Sequence, residues 1–159
     1  MTSLSAHVST AHPRNDTRIF LKELASISQV IPKVHFLVAD GLGNCDKNNI
    51  RIIDFGSPKS RFTRMVIKPL HILIYIIRKK FKIVHIHDPE LLLMSYLLTF
   101  MKVRVIYDAH EDYREDILSR EWIPNSYKKI ISRCIGLLED FFIKRFYAVI
   151  AATPKIYQT

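Results

Sequence analysis

Three stretches of this chain gather residue types that could do chemistry: HPRNDTR at 12–18, VHIHDPE at 84–90 and YDAHEDY at 107–113. In the first, a helix N-terminus offers free backbone N–H groups beside Arg14 and Arg18, a combination suited to a phosphate or to sugar hydroxyls. The plainer alternative is a capped helix with solvated arginines. In the second, strand alternation puts His85 and His87 on one face, as an HxH metal pair requires, with Asp88 beside them. Metal hydrolases of that type need further ligands on later strands, and YAVIAATP (147–154) offers none. The competing reading makes His85 a partly buried histidine satisfied by backbone. In the third, His110 leaves a strand just after Asp108, where an imidazole can bond a substrate hydroxyl or support developing charge. Alternatively, Asp108, His110 and Glu111 cap the next helix.

Such groups need elements to aim them. Apolar runs predict strands near 4–9, 33–39, 50–55, 83–87, 103–107 and 147–152, separated by helical patterns, the signature of a parallel sheet covered by helices. Asn15 or Asp16 caps the first helix, with Ile19, Phe20, Glu23, Leu24 and Ile27 at the helical spacing of one apolar stripe. Residues 40–49, DGLGNCDKNN, read as a turn-rich loop, and with no helix after it this is no phosphate loop. A helix at about 62–80 contains Pro69, which implies a kink. Pro89 opens the next helix, and a last one covers 125–145 with Ile130, Ile131, Cys134, Leu137, Leu138, Phe141 and Phe142 as its buried side. The three polar stretches then follow strands one, four and five, so they share one rim, where sheets of this class bind ligands. The HPRNDTR loop lacks the glycines that dinucleotide binding uses.

With 159 residues and 48% hydrophobic content, the composition fits one domain with an ample core. Twenty-four Lys and Arg against fifteen Asp and Glu leave a formal charge of +9, which favours anionic partners without choosing among them. Two distant cysteines outside any CxxC pattern imply neither a disulfide framework nor a thiolate metal site. MTSLSAHVST lacks the basic and apolar regions of a secretory signal, which points to a cytoplasmic protein. The segment 65–82 is basic and apolar but interrupted by Lys68, Pro69 and His71. It suits a membrane surface rather than a span, a solvated helix being the ordinary alternative.

STAHPRNDTRIFLKELASI, VHIHDPELLLMSYLL, VRVIYDAHEDYREDI and AVIAATPKI, in that order, resemble the N-terminal domain of family 4 glycosyltransferases of the GT-B fold, particularly those of bacterial capsule and surface-polysaccharide clusters. The resemblance implies a Rossmann-like, doubly wound parallel sheet flanked by helices, one half of a GT-B fold. It implies transfer of a sugar, with retention, from a nucleotide sugar to a glycan or lipid-linked acceptor, with no metal and no cofactor beyond that co-substrate. His110 matches the family's histidine toward the donor sugar, with Glu111 beside it. His87, Asp88 and Glu90 match the turn lining the interdomain cleft. His12, Arg14, Asp16 and Arg18 match the loop facing the acceptor and the donor phosphates. Residues 1–153 would be that domain and 154–159 the start of an interdomain linker. The C-terminal donor-binding domain is then absent, and the chain alone is expected to be inactive. Expected partners are the donor, the acceptor, a C-terminal domain or subunit and the inner face of the plasma membrane, but no nucleic acid. Two other functions stay open: a non-catalytic module binding a phosphorylated ligand or partner subunit, and the HxH metal hydrolase.

Overall fold

The computed structural model describes residues 4–109, 118–119 and 124–151. Seven strands form one sheet in the order β3-β4-β2-β1-β5-β6-β7: β1 (Ser5–Val8), β2 (Val34–Val38), β3 (Cys45–Lys47), β4 (Ile50–Asp54), β5 (Ile83–Ile86), β6 (Arg104–Ala109) and β7 (Ala148–Ala151). Every pairing is parallel except β3 with β4. From β1 the chain builds outward through β2 to β4, then returns to place β5 against the other side of β1. The reversal makes the β1/β5 junction a topological switch point, where loops at the carboxyl ends of the strands diverge and leave a crevice.

Alternation along the strands sorts side chains between two layers. Val34, Phe36 and Val38 of β2 join Ile50 and Ile52 of β4 against Ile19, Phe20 and Leu24. These last belong to a π-helical turn, Ile19–Leu24, that runs into α1 (Ala25–Val30). On the opposite face Ala6, Val8, Leu37, Val84, Ile86, Val105 and Tyr107 pack against Ile72 and Ile76 of α2 (Lys68–Lys79) and Met94 and Leu98 of α3 (Leu92–Phe100). These apolar residues recur at helical spacing, so each helix turns one stripe inward. Asp16, the predicted cap, accepts N–H bonds from Arg18 and Ile19 at 2.9 Å each. Pro89 opens a 3₁₀ turn, Pro89–Leu91, leading into α3. At Pro69 the helix changes character: π-helical Thr63–Ile67 passes into α2.

Two expectations are corrected. Residues 40–49 are not all loop, since Cys45–Lys47 pairs antiparallel with β4. The reversal is made by Asn48 and Asn49, both left-handed at φ 51° and 63°, so the turn residues mark a hairpin. Secondly, α4 (Asn125–Ile143) does not bury its large apolar side. Ile130, Leu137, Leu138 and Phe141 are 54–62% exposed, Cys134 is exposed, and the buried positions are Ser132 and Gly136. The helix α4 packs against α3. It is fastened by Phe142 against Tyr96 of α3, ring centroids 5.2 Å apart, and by Tyr107 Oη donating to Glu139 at 3.0 Å.

Candidate functional site

Strand register builds the rim. Pairing of His7 with His85 and Val8 with Ile86 sets the exits of β1 and β5 side by side, so Ser9–Ala11 meet His87 and Asp88. Asp88, 1% exposed, is the hub. Its Oδ2 accepts the backbone N–H groups of Thr10 at 2.5 Å and Ala11 at 3.1 Å, and its Oδ1 lies 3.3 Å from His12 Nε2. Thr10 Oγ1 donates to Glu90 at 3.1 Å, and Arg64 Nε, from the turn before α2, lies 2.9 Å from the same carboxylate oxygen. A carboxylate can sit this deep only because donors replace its water. Glu90 shows the cost: burial, then the neighbouring Asp88 charge, raise its carboxyl above the ordinary range.

A second chain of contacts joins β6. Arg18 Nη2 bonds Asp108 Oδ1, while its Nε lies 3.2 Å from Glu23 Oε1. The other Asp108 oxygen, Oδ2, lies 3.3 Å from His87 Nδ1, and His87 Nε2 lies 3.1 Å from His7 Nδ1. A carboxylate only accepts, so His87 donates from Nδ1. His85 completes a stack, its ring centroid 4.6 Å from those of His7 and His87. Burial foremost, then the adjacent imidazoles, holds His7 well below its usual range and His85 at about 3, so both are neutral at pH 7. Burial likewise raises the Glu23 carboxyl.

The fold thus brings His12, Arg18, His87, Asp88 and Glu90 together at one crevice, with Asp16 at its edge, 3.9 Å from His12 Nδ1. Arg14 points elsewhere. Its guanidinium grips Asp40 through Nε and Nη2 at 2.6 and 2.5 Å and reaches Gly43 O at 2.9 Å, which binds the loop after β2. His110 and Glu111 lie outside the described residues. Nor is His85 satisfied by backbone, because it stands in the histidine stack with Nε2 unpartnered. Sequence reasoning missed His7, Thr10, Glu23 and Arg64. His7 had a signal: a histidine on the strand paired with the HxH strand. Glu23 had one as well, a carboxylate at a stripe position of the first helix; Thr10 and Arg64 had none, since only long-range packing brings them here. Two shallow depressions, one at Ser132, Gly136 and Asp140 and one at Pro32, Lys33 and Asn49, lie away from this crevice. The crevice is the candidate site on its chemistry and topology.

The class of protein follows from sheet order: an α/β, Rossmann-like domain with a cluster of polar groups at the switch point. No family model and no curated protein matches the chain in sequence. Among solved structures it is similar to sucrose-phosphate synthase from Thermosynechococcus elongatus, with a TM-score of 0.68 and 11% identity. The match covers 98% of this chain and 44% of that one, so the chain spans less than half the length of the protein it resembles. At that identity the likeness establishes the fold alone, a mostly parallel Rossmann-like sheet flanked by helices.

Proposed function

We propose that this chain is the N-terminal, acceptor-side domain of a retaining glycosyltransferase of family 4 and of the capsule or surface-polysaccharide type. It would transfer a sugar from a nucleotide sugar to a glycan or lipid-linked acceptor. The observation that carries the reading is the convergence of the loops after β1 and β5 and the end of β6, through Asp88 and Asp108, on the β1/β5 crevice. Polar groups held on rigid strand ends suit the many hydroxyls of a sugar.

The interior ties leave defined roles. Asp88 and Asp108 hold the loops, while His12 and Arg18 present the polar surface an acceptor would meet and Glu90, largely buried, is held by Thr10 and Arg64. Arg14, clamped by Asp40, is not available to donor phosphates in this arrangement. His110 would bond the donor sugar and support positive charge at the anomeric carbon, with Glu111 beside it. The nucleotide would be held by a second α/β domain, without which one wall of a cleft cannot preorganise charge around both substrates. No metal is assigned to the transfer step. No helix among the described residues is long and apolar enough to cross a membrane. Met65, Leu70 and Ile74 are 41–52% exposed beside Arg78 and Lys79, which supports peripheral docking near a lipid-linked acceptor.

Saturation-transfer NMR of the chain with glycan acceptors and nucleotide sugars, followed by a transfer assay with a C-terminal domain supplied, tests this. Acceptor binding lost in Asp88→Asn, and transfer only with both domains, are expected. His110→Ala should lower kcat by about 100-fold or more. Full activity of His110→Ala would remove its assigned role. Binding of a phosphorylated ligand with no transfer under any pairing would favour the non-catalytic module.

A further inference from the structure

Beneath the crevice, on the sheet face that α1 covers, the apolar layer stops. Over β2 and β4 that face is Val34, Phe36, Ile50 and Ile52, but over β1 and β5 it is His7, His85 and His87, with Glu23 above them. All three histidines are buried, at 4%, 7% and 0% exposure. A solvent-excluded layer of imidazoles is costly unless every ring nitrogen has a partner. Here two buried atoms lack one: His85 Nε2 and Glu23 Oε2.

The geometry points to a buried binding site for one borderline divalent cation, of the Zn²⁺ or Co²⁺ class, formed by His7, His85, His87 and Glu23. One ligand atom from each lies within 4.8 Å of all the others. Tetrahedral bonds of about 2.0–2.1 Å put ligand atoms roughly 3.3 Å apart, so modest side-chain rotation closes the set. Imidazole with a single carboxylate selects such metals over Mg²⁺ or Ca²⁺, which take oxygen-rich sets. Three features present the donors before any ion arrives. Adjacent strands fix His7 opposite His85. Asp108, 3.3 Å from His87 Nδ1, orients that ring as a carboxylate behind a metal-bound histidine does. Glu23 brings its buried Oε2 to 4.0 Å from His87 Nδ1.

The ion would replace the contact between His7 and His87 and tie the helical segment of Glu23 to both central strands. It lies under the crevice, takes no part in the transfer, and does not depend on the glycosyltransferase reading.

The test uses the untagged chain, stripped by chelator and titrated with Co²⁺. We expect about one ion per chain with the intense visible absorption of four-coordinate Co²⁺, displaced by Zn²⁺, and a metal-dependent rise in Tm. Glu23→Gln should weaken binding about 10-fold or more, and His85→Gln should abolish the absorption. Binding unchanged in Glu23→Gln, or absent from the wild type, overturns the site. Should His85→Gln not fold by circular dichroism, NMR of the Co²⁺-loaded wild type decides. Paramagnetically shifted ring N–H signals are expected for each of His7, His85 and His87, and any one missing from the set overturns it.

Discussion

At the carboxyl ends of β1, β5 and β6, polar groups are inside: Asp88 and Asp108 are 1% exposed and His87 not at all. Along α4 and β7 the reverse holds, with Leu137 at 62%, Phe141 at 55% and Ile150 at 46% exposure. Hydropathy alone would place each group on the other side. What separates the regions is the supply of partners. Asp88 goes in because two backbone N–H groups and an imidazole meet it. Leu137 stays out because α4 meets the domain through Glu139 and Phe142, on a different side of the helix. The polar crevice is therefore specified by contacts between loops, and the apolar flank is surface that this domain does not itself cover.

The sharpest way to break this contrast is Asp88→Ala, which strands the Thr10 and Ala11 N–H groups in a buried loop. Urea unfolding should show a loss of about 2–4 kcal/mol, with the midpoint lowered and the slope unchanged. A loss below about 0.5 kcal/mol would mean that the hub holds nothing. Arg18→Ala comes next, because it leaves Asp108 buried without its guanidinium. Arg18 is itself about a third exposed, so solvent screening limits the loss to about 1–2 kcal/mol. Arg18→Lys should recover only part of it, since an ammonium cannot fork between Asp108 and Glu23.

Away from the crevice, Gly41→Ala probes the loop after β2. Gly41 has φ 79°, and an added Cβ would lie 3.1 Å from Ser57 N. The expected loss is about 1–2 kcal/mol in thermal unfolding, and an unchanged Tm would show that the loop relaxes. The same loop sets an acid response. Arg14 holds the Asp40 carboxyl below its ordinary value. For Asp54 burial pulls upward, but N–H bonds from Gly43, Gly41, Gly56 and Asp40 outweigh it and hold the carboxyl down. Carboxyls lowered in the folded state contribute stability that is present above their unfolded values and lost as pH falls through the folded ones. Stability should therefore fall below about pH 4, and less steeply in Asp54→Asn. A pH profile identical to wild type would contradict this role for Asp54. The smallest effect belongs to the flank: Leu138→Glu should change the stability of the isolated chain by less than about 0.5 kcal/mol. A loss above about 2 kcal/mol would show that α4 is covered in solution.

Much of the frame was legible from residues 4–9, 33–39, 50–55, 83–87, 103–107 and 147–152, since apolar runs of strand length alternating with helical stripes leave little choice of class. β3 was not legible, because Cys45–Lys47 is short and polar and is a strand only by pairing with β4. The buried side of α4 was misread for the opposite reason: its large residues make a convincing stripe, yet packing selected the small ones. In the site, His12, Arg18, His87, Asp88 and Glu90 were found as strand-end polar groups. Nothing local indicated that Arg14 would turn to Asp40, and His110 and Glu111 fall outside the described residues.

By itself the sequence determined the periodicities, and with them a parallel α/β sheet whose polar groups sit at strand ends, because side-chain alternation and capping are local. Only the tertiary structure decided that β5 lies beside β1, which stacks His7 on His85 and His87 and closes Thr10, Asp88, Glu90 and Arg64 into one network. Those contacts join residues up to 80 positions apart. They depend on strand order and register, which no short-range pattern encodes.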